Sequence, residues 1–131
     1  MTNMDALKKV MQTIELRDGQ FRDLLTKAVK GQLMCQKAII NMGAIRPATD
    51  YVPEITPEMR ESHQKLKKDG KLVPLWVYEK DGAFIMSDDY TAYTLYKEEN
   101  AEVVPCVVLG TITSTAFAEA VGEPCTLQSI V

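Results

Sequence analysis

Residues 66–110 read "LKKDGKLVPLWVYEKDGAFIMSDDYTAYTLYKEENAEVVPCVVLG", and the order of patterns within them decides the fold. After Gly70 the apolar spacing changes from helical to extended. "KLVPLWVYE" and "AFIMS" flank Lys80-Asp81-Gly82, and Asp-Gly between two apolar runs is a strong hairpin signal. "DYTAYTLYKEEN" then carries a helical pattern, with Ser87 or Asp88 placed to cap it. "VVPCVVLG" is nearly all apolar, as a strand buried on both faces would be. A hairpin, a helix and a buried strand in this order predict an α+β domain.

Upstream, Thr56-Pro57-Glu58 opens a helix well. Threonine is an N-cap, proline suits the first helical position, and the acid meets the positive end of the dipole. The helix "PEMRESHQKLKKD" stops at Gly70. Three prolines fall within eleven residues, Pro47, Pro53 and the helix's own Pro57, and predict irregular chain leading into it, with "DYVPEI" as an edge strand. Residues 4–42 read as a helical pair. "MDALKKVMQTIEL" spaces Met4, Leu7, Met11 and Ile14 by threes and fours, and Asp18-Gly19 breaks the pattern. The second helix carries Phe21, Leu24, Leu25, Ala28 and Val29 and runs through "LMCQKAIINM" to a cap at Gly43. Gly31 inside it is expected to mark a kink, at about 1 kcal/mol relative to alanine. Downstream, "TSTAFAEAVGEP" predicts a short helix and "CTLQSIV" a tail or last short strand. The expected partition is a helical segment over 1–45 and the α+β domain over 46–131.

The totals narrow the function. A chain of 131 residues, 46% apolar and 25% charged, has the size and balance of one soluble globular domain. A net charge of −3 argues against a generic DNA-coating or anionic-membrane protein. No apolar run approaches the roughly 20 residues that span a bilayer, and the N-terminus lacks a signal-peptide h-region. Cys35, Cys106 and Cys125 show no CxxC spacing and read as reduced thiols of a cytoplasmic protein. A single histidine, His63, leaves too few ligands for an ordinary zinc site.

The ordered set of residues 66–110, about a third of the chain, resembles the ParB/sulfiredoxin-like domain; "YVPEITPEM" extends the match toward half. The resemblance implies a ligand-binding turn between the second hairpin strand and the helix. In ParB-type members that turn holds a nucleotide's phosphates with a glycine, an acid and consecutive arginines. Sulfiredoxin-type members carry Gly-Cys-His-Arg there, and the cysteine does the chemistry. Here the place is taken by Ser87, Asp88, Asp89, Tyr90 and Thr91, so no catalytic residue carries over from either branch. A triphosphate would face carboxylates instead of guanidinium forks. Cys106 lies on the buried strand, where a thiol behaves as a small hydrophobe.

Three roles are open to the acids. Asp88 caps the helix while Asp89 favours its first turn; or Asp88 and Asp89, alone or with Asp81 or Ser87, hold Mg²⁺ or Ca²⁺; or the acidic turn docks a basic partner or rejects nucleic acid. Lys65, Lys67, Lys68 and Lys71 form a candidate anion-binding cluster, with a solvated helix end as the plain alternative. Tyr90, Tyr93 and Tyr96 stay near one helix face, and His63 is expected to be solvated on its outer turn. The expected function is non-catalytic: a binding or regulatory protein, without a resident cofactor, acting through a protein partner. Self-association through the N-terminal helices is a further expectation. The alternative is a divergent ParB-like nucleotide- or DNA-binding protein that uses Mg²⁺ at the acidic turn.

Overall fold

The computed structural model describes residues 19–87 and 89–130. The helix expected over residues 4–17 lies outside them. Among the described residues the chain forms α1 (Gly19–Val29), β1 (Cys35–Asn41), β2 (Ile45–Pro47), α2 (Pro57–Lys68), β3 (Leu75–Lys80), β4 (Ala83–Met86), α3 (Tyr90–Glu98), β5 (Val103–Leu109), β6 (Ala118–Val121) and α4 (Leu127–Ile130). The six strands make one mixed sheet in the order β2-β4-β3-β5-β1-β6. β2 runs parallel to β4, and β3 parallel to β5; the other neighbours are antiparallel. The α+β class expected from the sequence is the observed one.

The hairpin forms as read. Asp81 and Gly82 have φ of 51° and 78°, the pair of positive values that the tight two-residue turn requires, and Lys80 pairs with Ala83 across it. α2 begins where the Thr-Pro-Glu signal places it, with the Thr56 side chain accepting from the Met59 N–H.

Four readings change. Residues 35–41 are a strand, so the second helix does not continue to Gly43. Gly31 ends that helix at φ 73°, with Gly31 N–H donating to Ala28 O and Gln32 N–H to Lys27 O. These two bonds are the Schellman closure, which needs a left-handed residue, and glycine takes that conformation without a Cβ clash. The freed segment becomes β1, paired with β5 from Cys35↔Leu109 to Asn41↔Val103. "DYVPEI" is irregular; the short parallel strand is β2, just before it. Ala118–Val121 is the edge strand β6 instead of a helix, because pairing with β1 outweighs the helical propensity of its residues. The tail ends in the short helix α4 rather than a strand.

Each face of the sheet is covered. On one face Ala38, Ile40, Leu75, Val77, Phe84, Met86, Val104, Cys106 and Val108 pack beneath Ala92 and Tyr96 of α3. On the other, Tyr78, Leu109 and Cys35 pack against Phe21 and Ala28 of α1 and Leu127 of α4. β5 therefore serves both layers, as its apolar run predicts. Phe21 is fully buried, with its ring 6.5 Å from that of Tyr78, so α1 packs on its own sheet. No described helix is long and apolar enough to cross a membrane.

Candidate functional site

Several contacts among the described residues build the turn after β4. Asp89 is the N-cap of α3, where the sequence suggested Ser87 or Asp88: its Oδ1 accepts from the Ala92 N–H at 2.9 Å. Tyr90 reaches away from the helix and accepts from Thr49 N–H at 3.1 Å and Thr49 Oγ1 at 2.9 Å, with Tyr51 edge-on to its ring at 5.6 Å. Ala48 N–H donates to Met86 O at 2.9 Å, so the chain after β2 is laid over the end of β4. Ser87 is buried at the strand end. Asp88, the other candidate metal ligand, lies outside the described residues. Among the described residues no three His, Cys, Asp or Glu side chains gather as a metal site.

α2 lies against α3 with unusual economy of apolar contact. Of its twelve residues, all described, His63 is the one buried. The expectation of a solvated His63 is thereby corrected: it is 6% exposed, its ring stands edge-on to Tyr96 at 5.1 Å, and Nε2 lies 3.2 Å from Glu99 Oε1. That is a close polar approach, without the alignment of a good hydrogen bond. Lys67 Nζ reaches Glu99 Oε2 at 3.3 Å, and Arg60 grips Glu98 through two 3.1 Å bonds. Burial raises the Glu99 pKa, but the contacts with His63 and Lys67 outweigh it and hold the carboxyl below its ordinary value. No spacing within α2 signals this contact, because its partner is on another helix.

The two helices leave a groove of about 320 Å³ between them. Met59, Leu66, Val73 and Leu95 supply its apolar lining, and Glu58, Asp89, Ser62 and His63 its polar one. Met59 and Val73 are each close to 39% exposed. The groove thus brings together Asp89 and His63, which no spacing in the chain connects. It does not include the lysines: Lys67 is held by Glu99, and Lys65, Lys68 and Lys71 are exposed toward and beyond the C-terminal turn of α2.

The remaining candidates are structural. Tyr96 is buried and its hydroxyl donates to Val73 O at 2.6 Å. The Cys106 thiol is buried in the sheet, and burial alone pushes its pKa up to about 12, which suits a packing residue and not a nucleophile. Trp76 is half-buried on the α1 face, where it borders an apolar cleft with Ile39, Pro105, Val107 and Ile130.

No protein-family model matches the sequence, and no curated protein matches it. Solved structures are similar to it in fold. Sulfiredoxin from Arabidopsis thaliana superposes with a TM-score of 0.49 at 14% identity, covering 57% of this chain and 85% of that one. The C-terminally truncated chromosome-partitioning protein ParB from Caulobacter crescentus, complexed with CTP-γ-S, superposes with a TM-score of 0.43 at 12% identity. That match covers 59% of this chain and 46% of the ParB chain. Each is a likeness of fold alone.

Proposed function

We propose that the chain is a non-catalytic binding protein and that the groove between α2 and α3 is its recognition surface. The observation that carries the reading is the pairing, in one groove, of exposed Met59 and Val73 with the carboxylates Glu58 and Asp89. Large apolar side chains left in solvent beside one sign of charge fit an apolar anchor flanked by the opposite sign. The partner is accordingly a protein segment that presents an apolar side chain between lysines or arginines. Asp89, whose Oδ1 is already held by the Ala92 N–H, contributes its charge without leaving its cap.

The test is calorimetric. A synthetic peptide of alternating leucine and lysine turns is titrated into the protein at two salt concentrations, then into Met59→Ser and Asp89→Asn. Asparagine caps a helix about as well as aspartate, so the second variant removes charge and spares the fold. Salt-sensitive binding weakened in both variants supports the reading. CTP, ATP and GTP, each with and without Mg²⁺, form the second arm. Nucleotide binding that needs Mg²⁺ and disappears in Asp89→Asn would replace this reading with the divergent nucleotide-binding one. Absence of peptide binding overturns it.

A further inference from the structure

Cys35 opens β1, and Cys125 lies just before α4, far along the chain. The fold sets them directly opposite as an isolated antiparallel bridge. Cys35 N–H donates to Cys125 O at 2.8 Å, and Cys125 N–H to Cys35 O at 2.9 Å. Two residues that exchange both bonds have Cα atoms about 5.5 Å apart, within the roughly 4.4–6.8 Å that a disulfide spans. Their Cβ atoms, about 5.5 Å apart, must draw together toward roughly 3.5–4.5 Å, which strains the bond and makes it readily reduced. Directly opposed residues of an antiparallel pair also send their side chains to the same face. Both thiols are free, and Cys106 packs in the core of the other face.

We propose that Cys35 and Cys125 are a modification site: they close a reversible disulfide that fastens the α4 tail to β1. Their exposure orders the steps. Cys35 is wholly buried and Cys125 only partly. Burial, and then the neighbouring Cys125, raise the Cys35 pKa against a backbone hydrogen bond from Gly110 that lowers it, so Cys35 is the poorer first nucleophile. The oxidant is a low-molecular-weight disulfide. The Cys125 thiolate attacks one of its sulfurs, forming a mixed disulfide and expelling one small thiolate. Cys35 then loses its proton and attacks the Cys125 sulfur, forming the Cys35–Cys125 bond and expelling the second small thiolate. Two protein thiols are oxidised and one small disulfide is reduced to two small thiols.

The bond would hold Leu127 and Ile130 where they pack beside Phe21 and Trp76. It also closes a loop over most of the chain, so it acts strongly on the unfolded state.

The experiment treats folded, reduced protein with oxidised glutathione and maps the cysteine peptides by mass spectrometry. The expected product is a monomer lighter by two hydrogen atoms, with Cys35 joined to Cys125 and Cys106 free. Its Tm is expected to rise by roughly 5–15 °C and return on reduction. Cys106→Ala should still form the bond, and Cys125→Ser, changed at the half-exposed position, should not. A stable glutathione adduct on Cys125, a dimer linked through Cys125, or protein left fully reduced would each overturn the proposal.

Discussion

His63 Nε2 stands 3.2 Å from Glu99 Oε1, and this contact joins the buried point of α2 to the end of α3. Because α2 buries little else, the polar seam around Glu99 decides whether one wall of the groove stays in place.

A carboxylate held below its ordinary pKa makes stability depend on pH in a defined direction. Unfolded Glu99 titrates near 4.3, and the folded group lies lower. Its contribution is therefore full above about pH 4.3 and is lost as the pH falls through the folded value. Glu99→Gln is expected to cost about 1–2 kcal/mol at neutral pH. The gap to the wild type should narrow toward pH 3 in urea titrations. A gap of constant size would show that the contact is not ionic.

Asp89 is expected to show a cap signature in stability. Asp89→Ala should cost about 1 kcal/mol, and Asp89→Asn only a few tenths. Denaturant titration of both variants measures this, and equal losses would mean that charge and not the cap matters there.

Tyr96→Phe removes the hydroxyl that donates to Val73 O. The expected loss is about 1–2 kcal/mol, read as a Tm drop of several degrees. Hydrogen exchange should quicken first in the chain just before β3, since this bond ties it down. Unchanged exchange there would count against the contact.

Gly31 separates two readings by sign. In a helix interior, Gly31→Ala would stabilise by about 1 kcal/mol. At φ 73° it must instead destabilise by about that amount or more. A thermal melt of the single variant decides between them.

What could be read in advance is what is encoded locally. Asp81-Gly82, Thr56-Pro57-Glu58 and the apolar run of β5 each carry their signal within a few residues. β1 and β6 do not. "CQKAIIN" suits a helix or a strand, and "AEAV" favours a helix, until each is paired with the other and β1 with β5. The same holds for the groove. Glu58 and Asp89 meet only because α2 crosses α3, and His63 is buried by a helix it does not belong to. The acid turn was visible, but its capping residue is set by backbone geometry at Asp89, which residue types alone leave open between neighbours.

The sheet order also bears on how the chain is made. β1 emerges from the ribosome well before either of its neighbours, Val103–Leu109 and Ala118–Val121. At roughly 5–20 residues per second, β1 waits for seconds with both edges unpaired. Nascent chains of this protein should consequently gain protease resistance abruptly, when β5 and β6 clear the exit tunnel, and shortened chains lacking them should depend on chaperones to stay apart.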